Sequence, residues 1–317
     1  MSDDYSTAMA LLLADRPSRD DVLSAVSLLE QTSAAGEADA SERCALFEAI
    51  GMMRPQDWAQ SLSLLALAAQ QGSRSAQEQL LLLRDNTGDP QIPEPVPVNF
   101  WNDVRSEVSI EQRVEPREKT SLSDEPRVRL IKGFATPAEC RWLVALASER
   151  VKPAMVFDRA TGEQIRAAAR DNSFFALRLG EMSVFTEVIR NRISRATRLP
   201  VQLFEPSQLL HYSVGQEFKP HHDFFDPSNP AYRADLANFG QRIATFLIYL
   251  NEGYEGGETS FPEIGLNFRA NQGDALFFAN VSRDGHPDPK TLHAGLPPTA
   301  GEKWVLSQWI RDQLSKA

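Results

Sequence analysis

Gln208-Leu209-Leu210-His211-Tyr212-Ser213-Val214-Gly215-Gln216-Glu217-Phe218-Lys219-Pro220-His221-His222-Asp223 opens with a β-like run, turns at Gly215 and closes on three residues of metal-ligand type. Three further short apolar runs follow at 243–250, 275–278 and 304–310, separated by Gly and Pro. That rhythm predicts an all-β sandwich or barrel with helices on its outside. Just upstream, 127–131 alternates like a strand. Thr136-Pro137-Ala138-Glu139 then sets a cap, a first-turn proline and a capping-box acid before an amphipathic helix.

Toward the N-terminus the pattern changes. Residues 1–85 are rich in Leu and Ala and nearly free of β-branched runs, which predicts helices. Ser27-Leu28-Leu29 recurs 36 residues later as Ser63-Leu64-Leu65, Gly36 as Gly72, Ala40 as Ala76 and Glu42 as Glu78. Each copy reads as helix, Gly turn, helix, and the segment 64–72 is similar to Sel1-like and tetratricopeptide repeats. Between the halves, Pro90, Pro93, Pro95 and Pro97 suit an extended linker, and 101–124 is weakly patterned with room for a strand or two. The expected organisation is an α+β chain in three parts: a helical-hairpin repeat module over 1–85, a Pro-rich linker and extended segment over 86–124, and a catalytic domain over 125–317.

The length of 317 residues suits one catalytic core plus a smaller module, and 42% hydrophobic with 24% charged residues is a globular balance. Lys and Arg number 33 against 43 Asp and Glu, a formal charge of −10, which argues against nucleic acid or an anionic membrane as partner. Acidic residues stand where a secretory signal would be basic, and no apolar run approaches the roughly 20 residues of a membrane span. Cys44 and Cys140 lie far apart in sequence, so two reduced thiols in a cytoplasmic protein are expected. Nothing demands more than a monomer.

All five histidines, His211, His221, His222, His286 and His293, fall between residues 211 and 293. Imidazole is the commonest side-chain metal ligand, and His221 with Asp223 two residues on shares one strand face. Joined by a distant His, such a pair occupies one face of an octahedral ion and leaves the opposite positions open. An isolated HxD tripeptide more often marks a surface or structural position; its company decides here. Lys303 heads the strand-like run 303–309, whose alternation puts Lys303, Val305, Ser307 and Trp309 on one face. A lysine heading an apolar face inside a barrel needs an anion.

The segment 212–225 resembles the iron-binding segment of the prolyl 4-hydroxylases, Fe(II)- and 2-oxoglutarate-dependent dioxygenases. The likeness continues through Gly240-Gln241-Arg242, Gly256-Gly257-Glu258-Thr259-Ser260-Phe261-Pro262, Gly273-Asp274, Leu292-His293-Ala294-Gly295 and Gly301-Glu302-Lys303-Trp304, covering roughly 125–312. The resemblance implies a double-stranded β-helix (jelly roll), and Fe(II), 2-oxoglutarate, O2 and ascorbate as cofactors. It further implies His221, Asp223 and His293 as iron ligands and catalytic residues. Lys303 would pair with the far carboxylate of 2-oxoglutarate, with Tyr212 and Thr259 donating hydrogen bonds to it. Trp309 and Arg242 match positions near the substrate, although a core aromatic and a structural ion pair are the competing readings. Phe218 stands where the family has a tyrosine linked to substrate handling. His211, His222 and His286 are expected to be structural or rim residues.

With a carboxylate filling the position a halide would need, the implied reaction is hydroxylation of an unactivated C–H bond, with succinate and CO2 as co-products. Substrate choice is expected to reside in two loops, 152–173 and 226–238. Two substrate classes follow: a prolyl residue in a peptide or protein, gripped in part by the helical module, or a free amino or cyclic imino acid such as proline or pipecolate.

Overall fold

The computed structural model describes residues 2–15, 17–84, 92–153, 155–157, 164–166 and 170–314. Contacts divide the chain into two units, 1–116 with 178–196, and 117–177 with 197–317. Among the described residues no helix is long and apolar enough to cross a membrane.

The first unit is helical: Asp3–Leu12, Arg19–Ala34, Ala38–Ile50, Trp58–Gln70 and Arg74–Arg84 follow in order. Two of its turns share one geometry. Gly36 (φ +99°) and Gly72 (φ +100°) take up the left-handed region that lets a helix end abruptly. The amide after Gly36 donates to Thr32 O (3.2 Å) and the amide after Gly72 to Ala68 O (2.9 Å), so the 36-residue offset is repeated in hydrogen bonding. The segment 85–91, with Pro90, lies outside the described residues. Beyond it the chain is not uniformly extended, because Phe100–Ser106 and Ile110–Val114 are helices and only Thr120–Asp124 is a strand. Trp101 and Val104, at helical spacing, are buried, but a helix of 7 residues is too short for its period to announce itself in sequence.

This unit is completed from far along the chain. The helix Val184–Thr197 buries Val184, Phe185, Val188, Ile189 and Ile193. The Phe185 amide donates to Gln79 Oε1 at 3.1 Å, and Arg43 donates to the carbonyls of Leu179 and Gly180 at 2.9 and 3.1 Å.

The second unit holds two main antiparallel sheets, beside two-stranded pairs at Glu255–Gly256 with Pro298–Ala300 and at Met155–Phe157 with Gln164–Arg166. Among the described residues the larger runs, edge to edge, Thr120–Asp124, Arg127–Ile131, Ala275–Ala279, Arg242–Tyr249, Lys303–Arg311, Ser207–Tyr212, Ser173–Leu177, Lys152–Pro153. The smaller runs Leu266–Phe268, Thr259–Phe261, His293–Gly295, Phe218–His221. Val128, Leu210, Tyr249, Leu276, Phe278 and Val305 of the larger sheet pack with Phe261 of the smaller. This two-sheet arrangement accords with a jelly-roll core. The helix Pro137–Ser148 begins at the expected capping box: Thr136 Oγ1 accepts from Glu139 N, and the Glu139 carboxylate accepts from Thr136 N at 2.9 Å. Of the expected substrate loop at 152–173, residues 154, 158–163 and 167–169 lie outside the described residues, and the rest includes the antiparallel pair Met155–Phe157 with Gln164–Arg166. The other, 226–238, contains the turn Pro230–Tyr232 and the helix Arg233–Phe239, where a plain loop was expected.

Candidate active site

The smaller sheet brings the first two ligand-type residues together. His221 ends one strand, His293 begins its neighbour, and the two are direct partners across the antiparallel pair. Their rings lie 4.3 Å apart by centroid. Asp223, two residues beyond the strand end and 4% exposed, places one carboxylate oxygen 3.5 Å from His221 Nε2 and the other 3.5 Å from His293 Nε2. One ligand atom from each of the three lies within 4.8 Å of the others.

The surroundings fix the protonation pattern. His221 Nδ1 lies 2.7 Å from Lys219 O and His293 Nδ1 2.9 Å from Thr291 O. A carbonyl only accepts, so each Nδ1 carries hydrogen and each Nε2 presents its lone pair to the centre. Thr245 Oγ1 donates to Asp223 Oδ2 at 2.6 Å and accepts from Asn280 Nδ2 at 3.0 Å, a relay that fixes the carboxylate's orientation. Burial alone would raise the Asp223 carboxyl, but the imidazoles of His293 and His221 hold it well below the usual carboxylate range. Burial pushes His293 down to about 4, against the pull of Asp223, so this ring is neutral near pH 7 as a ligand must be. Two imidazole nitrogens and a carboxylate, orientated and deprotonated, fit a divalent iron.

A cavity extends from this triad between the sheets. Alternation along Lys303–Arg311 sends Lys303, Val305, Ser307 and Trp309 into it, while Tyr212, Leu247, Thr259 and Phe218 close the other walls. At the far end stands Lys303, 2% exposed, opposite Tyr212 in the strand pairing. Its ammonium donates to Gly257 O at 2.7 Å and rides over the rings of Tyr212 (5.2 Å) and Tyr249 (5.7 Å). Burial lowers Lys303 to about 8, with Glu258 opposing. Thr259 Oγ1 is 2.7 Å from the Tyr249 hydroxyl. A metal centre at one end and a sheltered cation at the other suit a small dianion that chelates and is gripped by its tail.

Residues 207–311 match the 2OG-Fe(II) oxygenase superfamily. Probable prolyl 4-hydroxylase 10 of Arabidopsis thaliana is 36% identical over 210 residues, covering 60% of this chain and 70% of that protein. The chain belongs to the prolyl 4-hydroxylase-like 2OG-Fe(II) oxygenases. Prolyl 4-hydroxylase 1 of the same plant is 33% identical over 231 residues, covering 68% and 79%. A solved viral collagen prolyl hydroxylase from Paramecium Bursaria Chlorella virus-1, in its 2OG complex, is 26% identical and covers 60% of this chain and 98% of its own, with a TM-score of 0.45. As a 2OG-Fe(II) oxygenase the chain is a 2-oxoglutarate-dependent dioxygenase that uses Fe(II) and O2.

Other positions of this oxygenase fall into place around the cavity. Trp309 and Phe218 line it, and Phe218 stacks on His221 with centroids 3.5 Å apart. Arg242 grips Glu205 through two hydrogen bonds of 2.7 and 2.8 Å, and its guanidinium lies over the Trp309 ring at 4.0 Å. The remaining histidines lie elsewhere: His211 meets Glu302 at 2.9 Å, His222 meets Pro289 O at 3.0 Å, and His286 is exposed. Sequence reasoning passed over Tyr249 and Thr245, which share one face of Arg242–Tyr249 with Leu247 by simple alternation. It also passed over Asn280 and Arg170, for which no pattern in the sequence speaks.

Proposed function

We propose that the protein hydroxylates a prolyl residue of a peptide or protein substrate, releasing succinate and CO2. The two-ended cavity carries this reading: a His-Asp-His triad at one end and a buried lysine at the other. The similarity to plant prolyl 4-hydroxylases supplies the substrate class.

His221, Asp223 and His293 are the residues that would hold Fe(II), and Thr245 and Asn280 keep the Asp223 carboxylate turned toward it. Lys303 receives the far carboxylate of 2-oxoglutarate, with the hydroxyls of Tyr212 and Thr259 as hydrogen-bond donors. With iron bound, the centre supplies the O2 chemistry that couples decarboxylation of 2-oxoglutarate to hydroxylation. Leu247, Val305 and Phe218 keep water from the reacting atoms. Trp309, held by Arg242 and Glu205, forms the wall the substrate meets. Ascorbate as reductant belongs to the same proposal, as does a cytoplasmic setting, which suits the buried free thiols Cys44 and Cys140. The helices of 1–85 are read as a helical-hairpin repeat module of the tetratricopeptide or Sel1 kind, whose concave face would grip a protein partner.

The test is succinate formation under Fe(II), ascorbate and air, with proline-rich peptides in one arm and free proline and pipecolate in the other. Peptide-dependent succinate with a hydroxylated prolyl product is the expected result, and His221→Ala abolishes it together with iron binding. Stimulation by the free imino acids alone would replace this reading with small-molecule hydroxylation.

A further inference from the structure

Arg170 is held in place by its backbone. It bridges Phe218 across an isolated β-bridge, Asp171 N donates to Glu217 O, and the Asp171 carboxylate is spent on Glu217 N at 2.7 Å. Its guanidinium lies over two rings, Phe174 at 4.9 Å and Phe218 at 5.3 Å. Aromatic faces stabilise the charge but offer no acceptor for its N–H groups. Its Nη1 is buried without a hydrogen-bond partner among the described residues. Burial works against the guanidinium's charge, and the groups acting on it are Tyr212 and Asp223, which line the catalytic cavity, and Arg242, which lies over the Trp309 ring. Phe218 itself stacks on His221, so the guanidinium stands one ring away from the metal centre.

A half-buried guanidinium with one sheltered N–H group lacking an acceptor among the described residues is completed by an anionic ligand, and its planar fork matches a carboxylate. Lys303, at the far end of the cavity, serves 2-oxoglutarate, which leaves Arg170 to the other substrate.

We propose that Arg170 binds a carboxylate of the hydroxylated substrate, so that the enzyme selects a proline accompanied by a negative charge. This rests on the hydroxylase reading above. The carboxylate comes either from the proline itself, free or at a chain end, or from an acidic side chain next to an internal proline.

The test compares matched pairs differing only in that charge: N-acetylproline with N-acetylprolinamide, and internal-proline peptides carrying a flanking Glu with the same peptides carrying Gln. Calorimetric titration into the anaerobic protein loaded with Fe(II) and 2-oxoglutarate reads binding whether or not turnover follows. Succinate formation in air then reads the reaction. The anionic member of at least one pair should bind about 10- to 100-fold more tightly, as expected for a charge-assisted pair. The pair that discriminates identifies the source of the carboxylate. Arg170→Met should bring the ratio near one while 2-oxoglutarate binding is retained, and Arg170→Lys should keep part of the preference. Equal binding within both pairs, or a preference that survives Arg170→Met, overturns the proposal. Preferential binding of the anion without succinate would instead count against prolyl hydroxylation and leave the carboxylate site standing.

Discussion

On the proposed reading, co-substrate affinity turns on the side chain of Lys303. Its ammonium is sheltered, and burial has already drawn it down to about 8. Rising pH removes the charge that a dianion needs. In the free enzyme kcat/KM for 2-oxoglutarate should therefore be level below pH 7 and fall as pH passes about 8, a profile that steady-state kinetics with buffered iron would reveal. Lys303→Met should raise the KM for 2-oxoglutarate by about 30-fold or more, since stripping one partner from a buried charged pair costs about 2 kcal/mol at least. Iron binding, measured separately, should persist in that variant. A KM that stays put would remove Lys303 from the co-substrate site. In the sequence Lys303 drew notice as a charge on an otherwise apolar strand face. Arg170 drew none, because what distinguishes it is an Nη1 without a hydrogen-bond partner among the described residues, and absences are not written in a sequence.

The strand Arg242–Tyr249 carries three cavity functions on one face: Thr245 under Asp223, Leu247 in the wall, and Tyr249 beside Thr259 and Lys303. Thr245→Val keeps the shape and deletes the hydroxyl, so iron should be held at least about 10-fold more weakly with little change in fold, as titration with Fe(II) or Co(II) would show. Turns make a second contrast. A Cβ at Gly72 would touch nothing within 4 Å, so Gly72→Ala should cost only the backbone strain, about 1 kcal/mol. At Gly273 a Cβ would sit 2.1 Å from Ala135 O, and Gly273→Ala should be far more damaging in a denaturant melt. Strands of the catalytic unit were legible because a period of two with Gly and Pro stops leaves little choice. The helices at 100–114 were not, because at 7 and 5 residues each is too short to show a period.

At the scale of the molecule, the N-terminal helices cannot be treated as a detachable accessory. Deleting residues 2–84 removes the surface against which 178–196 packs, leaving Val184, Phe185, Val188 and Ile189 uncovered between two strands of the catalytic sheet. Such a truncation should melt at lower temperature and aggregate, and any loss of turnover in it would say nothing about substrate grip. Point changes on the exposed helix faces, read by peptide KM, are the informative route. Sequence partition placed the boundary near residue 125, since nothing local distinguishes a helix that belongs to its own sheet from one lent to another unit. That loan has a temporal side. As the chain leaves the ribosome, residues 1–116 emerge first, yet the helix that closes their core is not made until residue 196. The first unit to be synthesised is thus unfinished until the second is well under way, and any pause in translation between those points leaves its apolar seam in need of a chaperone.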